Sequence, residues 1–123
     1  MRVMAVLKTN PERVVAIYKC LCDIKRLRII NLLRIEPQCV CHIEKVLGIG
    51  AVRTSQQLAY LRRHGMVAVE IRGTWRVYSL PATPGPELAA NLACLQDAVF
   101  EGRIFRDDLA RLKKIKSSQC GPQ

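Results

Sequence analysis

The sequence predicts one mainly α-helical domain that carries a small β-hairpin. Apolar residues recur at three- and four-residue steps in several stretches, and this spacing indicates helices. Two glycines in three residues, Gly48 and Gly50, predict a tight turn between two of these helices. Alternating apolar residues from Val67 to Ser79 predict two strands joined at Gly73-Thr74. A chain of 123 residues suits a single domain.

Start and stop signals define the first two helices. Asn10 can cap a helix that begins at Pro11, because its side-chain oxygen can accept a hydrogen bond from a free amide and proline suits the first helical position. Asp23 can cap the second helix in the same way. Pro37 ends this helical region, since proline has no amide hydrogen to donate.

Two further helices flank the glycine turn. The third is predicted from about Cys41 to Leu47 and the fourth from about Ala51 to His64, with Thr54, Leu58 and Leu61 facing the core. Two helices joined by a tight turn and followed by a β-hairpin form a winged helix-turn-helix. In that fold the second of the two helices enters the major groove of DNA.

The C-terminal part of the sequence predicts a long helix. Leu88, Leu92, Leu95 and Val99 form an apolar stripe available for packing against a partner, and Gly102 can interrupt it. We therefore expect a winged helix-turn-helix and dimerisation domain over residues 1–116 and a flexible tail over 117–123. The homodimer is expected to form through the N- and C-terminal helices.

The composition narrows the classes of function that suit the protein. Twenty Lys and Arg against ten Asp and Glu give a formal charge of +10, which favours a polyanionic partner, nucleic acid first. No apolar run approaches the ~20 residues that cross a bilayer, and the start lacks a signal-peptide pattern. We expect a cytoplasmic protein without a membrane partner, whose six cysteines are thiols or metal thiolates. The chain has no phosphate-binding glycine loop and no catalytic triad pattern, so an enzyme is not expected.

Candidate DNA contacts follow from the predicted elements. Arginine and glutamine can pair with base edges in the major groove, while other basic residues contact phosphates and the hairpin reaches the minor groove or flanking backbone. The candidate base-reading residues are Arg53, Ser55, Gln56 and Gln57, the phosphate-contacting candidates are Arg62, Arg63 and Lys45, and the hairpin candidates are Arg72 and Arg76.

The segment Cys39-Val40-Cys41 is the candidate metal site, because thiolates are the preferred ligands of soft ions. On a regular helix residues two apart point about 200° away from each other, so both thiols could bind one ion only from a frayed or unwound first turn. His42 is interpreted as a solvated or helix-supporting residue. The candidates for a third ligand, which stay open, are Cys20, Cys22, Cys94 and Cys120.

At this point the chain resembles the ArsR/SmtB family of metal-responsive transcriptional repressors, over most of the span from residue 11 to residue 80. Cys-Val-Cys at the start of the third helix is the arsenic and soft-metal signature of that family. The matching segments are Lys19-Cys20-Leu21-Cys22-Asp23, Arg26-Leu27-Arg28-Ile29, Cys39-Val40-Cys41-His42-Ile43, the run from Leu58 to Val67, and Arg76-Val77-Tyr78.

The resemblance implies a homodimeric repressor of the arsenic-responsive branch. Such a protein binds an inverted-repeat operator in double-stranded DNA near its own gene and leaves it when arsenite or antimonite binds. Cadmium, lead and zinc are further candidate inducers.

The sequence departs from the family pattern in three places. Gly50-Ala51 and Gln57 replace the usual Ser-Gln and His of the recognition helix, so we expect DNA contacts, and hence an operator, that differ from the usual ones. Glu44 stands where some members have a third Cys. The Asp and His pattern of the family's zinc sites is not evident from Leu88 to Asp108, which argues against a zinc sensor of that kind.

The residues alone leave two alternative functions open. Oxidation of Cys39, Cys41 or Cys20 could replace metal as the input of a thiol redox-sensing regulator. The chain could instead be a metal-binding interaction protein without specific DNA binding, whose contact with DNA would be sequence-independent and steeply salt-dependent.

Overall fold

The computed structural model describes residues 10–118. Within these residues, six α-helices, one π-helical turn and a three-stranded antiparallel sheet form the fold. In chain order the elements are α1 (Pro11–Leu21), α2 (Ile24–Leu33), β1 (Gln38–Cys39), α3 (Val40–Leu47), α4 (Ala51–Arg63), β2 (Ala68–Arg72), β3 (Trp75–Ser79), α5 (Pro86–Cys94), the π-helical turn Leu95–Val99, and α6 (Arg103–Ser118).

The two predicted caps are confirmed. Asn10 Oδ1 accepts a hydrogen bond from the Glu12 amide at 2.9 Å, and Asp23 Oδ1 accepts one from the Lys25 amide at 2.7 Å. These hydrogen bonds satisfy amides that the first turn of a helix leaves without an intrahelical partner. Helix α2 ends at Leu33, ahead of the proline that was expected to stop it.

The glycine turn between α3 and α4 is also confirmed. Gly48 ends α3 with φ +67° and donates its amide to the Glu44 carbonyl at 3.0 Å. Gly50 precedes α4 with φ +93°. Both values lie in the left-handed region, where a Cβ atom is strained, so glycine suits both positions. The turn fixes the angle at which α4, the recognition helix, leaves α3.

The sheet contains the predicted hairpin and one strand that the sequence did not predict. Strands β2 and β3 pair with Arg72 opposite Trp75, and we call this hairpin the wing. Strand β1 adds to the other edge of β3, with Gln38 opposite Tyr78 and Cys39 opposite Val77. A two-residue strand leaves no alternation to detect in a sequence.

The C-terminal stripe lies on α5 and on the π-helical turn that follows it. Helix α5 continues into the π-helical turn, which ends at Val99, and the chain turns at Gly102 before α6 begins. Helix α6 includes Ser117 and Ser118 of the expected tail; residues 119–123 lie outside the described residues. Within residues 10–118 no helix is long and apolar enough to cross a membrane.

An ion pair ties α6 to the helix-turn-helix. Arg28 of α2 donates from two guanidinium nitrogens to the two carboxylate oxygens of Asp108, at 2.8 and 2.9 Å. Asp108 is only 1% exposed. Arg111 also donates to this carboxylate, and both arginines donate to the Val46 carbonyl near the end of α3. The C-terminal end of α3 is therefore held by α2 and α6 together.

We expect Asp108→Asn to lower the free energy of unfolding by about 3–5 kcal/mol, because it leaves the arginine charge without its buried counterion. Urea denaturation measures this loss, provided that the variant and the wild type unfold with the same m-value. The matched control is Asp107→Asn, whose carboxylate faces solvent and pairs only loosely with Arg103. This control should change stability by less than about 0.5 kcal/mol. Equal effects of the two substitutions would contradict the structural role of Asp108.

Candidate thiol site and nucleic-acid interface

The two thiols of the Cys-Val-Cys segment are in contact. Cys39 Sγ and Cys41 Sγ lie 2.7 Å apart, and one thiol donates a hydrogen bond to the other. Cys39 is buried and Cys41 is partly exposed. The structure therefore brings together the two residues that the sequence identified as the candidate site.

The junction between β1 and α3 explains the contact. Cys39 has extended backbone angles, φ −75° and ψ 153°, and belongs to the strand, whereas α3 begins at Val40. The side chain of Cys41 leaves from the first helical turn, so the two thiols approach from different elements. The expectation that the helix must fray or unwind to bring them together was wrong, because only Cys41 is helical.

His42 is the third member of this cluster. The ligand atoms of Cys39, Cys41 and His42 all lie within 4.8 Å of one another, the only such group of three His, Cys, Asp or Glu residues found within residues 10–118. His42 is 5% exposed, which rules out a solvated side chain. Its place directly after Cys-Val-Cys was the signal available in the sequence.

The cysteines proposed as third ligands are not part of this cluster. Cys20 is fully buried in the core. Cys22 is exposed and donates to the Lys19 carbonyl, and Cys94 is also exposed. Cys120 lies outside the described residues. Within one chain, the described cysteines therefore supply two thiols to the site.

Burial raises the pKa of two of the cysteine thiols, Cys41 and Cys20. Desolvation, followed by the hydrogen bond from Cys39 and its charge, raises the pKa of Cys41 to about 11. Lys45 and the amide of His42 act in the opposite direction with smaller effect. Desolvation also raises the pKa of Cys20. A soft ion must therefore displace a proton from Cys41 at neutral pH.

A cleft of about 910 Å³ lies between the recognition helix and the wing. Cys41 reaches it from α3, so the thiol site borders the surface that carries the basic residues. The lining includes Cys41 and Glu44 of α3, Ser55, Arg62 and Arg63 of α4, and Trp75 and Arg76 of the wing.

The predicted DNA contacts divide into two groups. Four of them line this cleft, namely Ser55, Arg62, Arg63 and Arg76. The other five lie outside its lining, and of these Arg53, Gln56, Lys45 and Arg72 are exposed and Gln57 is half-buried. Arg72 pairs with Glu70 of its own strand at 3.0 Å.

Gln57 has a structural partner that sequence reasoning missed. Arg26 of α2 donates to its side-chain oxygen at 2.9 Å. The same guanidinium lies over the Tyr60 ring, 4.4 Å from the centroid. Arg26 thus orients two residues of the recognition helix. The sequence carried no spacing signal for this contact, because Arg26 and Gln57 are 31 residues apart in the chain.

The fold and this basic surface define a winged helix-turn-helix DNA-binding protein. A model of the bacterial regulatory protein arsR family matches residues 20–69. None of the curated protein sequences matches significantly. HlyU from Vibrio cholerae is 26% identical, with 75% of this chain and 97% of that chain covered and a TM-score of 0.67. A structure described as reduced HlyU from the same organism gives 27% identity, 73% and 92% coverage, and a TM-score of 0.65.

Two further solved structures extend this likeness. The transcriptional repressor BigR from Xylella fastidiosa is 26% identical over 72% of this chain and 88% of that chain, with a TM-score of 0.60. A homodimeric winged helix-turn-helix DNA-binding domain from Mycobacterium bovis, of a possible ArsR-family regulator, is 27% identical over 73% and 81%, with a TM-score of 0.62. Residues 20–69 therefore resemble the ArsR family of bacterial regulatory proteins, and the similar structures from Xylella fastidiosa and Mycobacterium bovis are described as transcriptional regulators.

The raised pKa of Cys41 predicts slow alkylation. With a pKa of about 11, roughly one thiol in 3,000 is ionised near pH 7.5, and only the thiolate reacts with iodoacetamide. The rate at Cys41 should rise about tenfold per pH unit up to that pKa. Peptide mass spectrometry of the reduced protein measures it, with the exposed Cys22 and Cys94 as internal references. Modification of Cys41 as fast as that of Cys22 at pH 7.5 would contradict the prediction.

Proposed function

We propose that this regulator is a homodimeric repressor that leaves an inverted-repeat operator when a soft ion binds to Cys39 and Cys41. Arsenite, antimonite, cadmium, lead and zinc all belong to the class of ions that thiolates bind. The observation that carries the proposal is the contact of the two sulfur atoms, 2.7 Å apart, at the point where β1 joins the recognition motif to the wing.

Ion binding would fix the separation and orientation of the two sulfur atoms. Two thiolates at about 2.3 Å from a tetrahedral ion such as zinc lie about 3.8 Å apart. Cys39 belongs to a strand and Cys41 to a helix, so an ion bound to both constrains the position of β1 relative to α3.

Both moving parts lead to the DNA-binding surface. Cys39 pairs with Val77 of the wing. Helix α3 continues through Gly48 and Gly50 into the recognition helix. A shift at the thiols therefore changes the position of the wing relative to α4. An operator that fits only one arrangement would be bound less tightly by the ion-bound protein.

The cleft supports the role in DNA binding. Arg62 and Arg63 of the recognition helix and Arg76 of the wing line the same cleft, which faces solvent. Three guanidinium groups on one surface suit contact with backbone phosphates. Arg53 and Gln56 are exposed near the start of the recognition helix and remain our candidates for base contacts.

Exposed apolar side chains support the homodimer. Val15 and Tyr18 of α1 are about half exposed, at 52% and 55%, and Ile104 of α6 is also exposed. Large apolar groups on the terminal helices are typical of a surface that a second copy covers. The related domain from Mycobacterium bovis is described as homodimeric.

The same sulfur contact favours a second candidate input, oxidation. Hydrogen peroxide would convert the two thiols to a disulfide: the S–S bond forms, both thiol protons are lost, and the O–O bond breaks to give two waters. The two sulfur atoms would then be joined at about 2.05 Å, closer than the separation of about 3.8 Å between two thiolates on a tetrahedral ion. Oxidation and ion binding thus impose different positions of β1 relative to α3. The existence of a structure described as reduced HlyU is consistent with this alternative.

Operator release tests the proposal. An operator selected from a random duplex library with the reduced protein is titrated by fluorescence anisotropy, with and without arsenite or cadmium. We expect about 5- to 150-fold weaker binding with an effective ion, the usual range of coupling between two sites. Cys39→Ser and Cys41→Ser should abolish this loss, because each removes a thiolate, whereas Cys22→Ser and Cys94→Ser should retain it.

Two outcomes separate the candidate inputs. An ion-bound protein that retained full operator affinity would contradict ion-driven release. Release by peroxide without added ion, reversed by a thiol reductant and lost in Cys39→Ser, would identify oxidation as the input.

The phosphate role of the cleft arginines predicts a change in salt dependence. Arg76→Ala and Arg62→Ala should each reduce the slope of log K against log salt by about 1, with similar weakening on all DNA sequences. The control is Arg103→Ala, an exposed arginine of α6 outside the cleft lining. Anisotropy titrations between low and moderate salt give the slope. An unchanged slope in Arg76→Ala would show that the wing arginine does not contact DNA phosphates.

A further inference from the structure

A third donor stands beside the two thiols. His42 follows Cys41 in the chain, and its imidazole lies within 4.8 Å of both sulfur atoms. Successive residues of a helix are rotated by about 100°, so Cys41 and His42 leave the first turn of α3 in different directions. Cys39 approaches from β1 and completes the group.

The surroundings suit a bound ion. Cys39 and His42 are buried, and Cys41 is partly exposed toward the cleft. An ion held by these residues would be shielded from bulk water on the protein side. The cleft leaves access for an entering ion and for a water molecule at a fourth position.

The donor set distinguishes between classes of ion. Arsenite and antimonite prefer three thiolates, and the described part of the chain offers two in this cluster. Zinc and cadmium accept mixed sets of cysteine sulfur and histidine nitrogen with tetrahedral geometry. One imidazole and two thiolates leave one of four tetrahedral positions open.

We propose that Cys39, Cys41 and His42 together form the protein part of a binding site for a divalent zinc-class ion, zinc or cadmium. This inference rests on the proposed function, since it names the third ligand and the ion class of the same site. His42 is the residue that selects a divalent ion over arsenite.

Cadmium titration of the full-length reduced protein tests the inference. Thiolate-to-cadmium absorption reports the sulfur ligands, and a competing chelator gives the affinity. His42→Gln should weaken cadmium binding at least about tenfold, the smallest loss usually seen even when an outer-shell partner of a metal ligand is removed. His64→Gln is the matched control, because the chain contains two histidines and His64 lies at the far end of the recognition helix.

Nuclear magnetic resonance of the two imidazoles gives a second measurement that a merely structural role would not change. Cadmium should shift the ring signals of His42 to those of a metal-bound imidazole and leave those of His64 unchanged. An unshifted His42 signal in the cadmium-bound protein, or equal cadmium affinity of His42→Gln and the wild type, would overturn the inference. Circular dichroism verifies that each variant is folded.

A substitution with the opposite effect tests the ion class. His42→Cys offers three thiols, so arsenite affinity should rise at least about tenfold over that of the wild type. Unchanged or weaker arsenite binding in a folded His42→Cys variant would contradict the selecting role of His42.

Different experimental outcomes would refute this inference and the proposed function. Loss of cadmium binding in Cys39→Ser or Cys41→Ser, with no effect of His42→Gln, would refute the role of His42 alone. Cadmium binding that survives both cysteine substitutions would refute the proposed function.

Discussion

The pairing of β1 with β3 is the constraint on which the site depends. It holds Cys39 in an extended conformation next to Val77 of the wing, so that its sulfur atom meets that of Cys41 at the start of α3. The pairing is weak, since each backbone hydrogen bond contributes only about 0.5–1.5 kcal/mol net. Metal binding to a set of thiolate and imidazole ligands can release about 10 kcal/mol or more.

The opposite end of α3 is fixed more firmly. Arg28 and Arg111 donate to the Val46 carbonyl, and the carboxylate of Asp108 joins them to α6. A displacement at the thiols is therefore transmitted more readily to β1 and the wing than to the body of α3. The structure thus combines a firmly held end of α3 with a short edge strand at the other end.

The sequence was sufficient to predict the elements that carry local signals. The caps at Asn10 and Asp23 and the glycine turn all depend on residues close together in the chain. Strand β1 and the Arg26 contact to Gln57 depend on residues distant in sequence, and no periodicity reports them. The candidate site was predicted in part. The thiol pair was evident from its motif, but the participation of His42 depended on where β1 ends and α3 begins.

Amide hydrogen exchange in the wing tests the central claim, that the thiols are coupled to the DNA-binding surface through β1. We expect saturating cadmium to speed exchange over residues 36–40 and 75–79 of the wild-type protein, because an ion bound to both thiols constrains Cys39 and so competes with the β1–β3 pairing. Cys39→Ser should show no such change, and α6 should stay equally protected throughout. Cadmium bound to both thiols with unchanged protection of β1 and β3 would contradict the account.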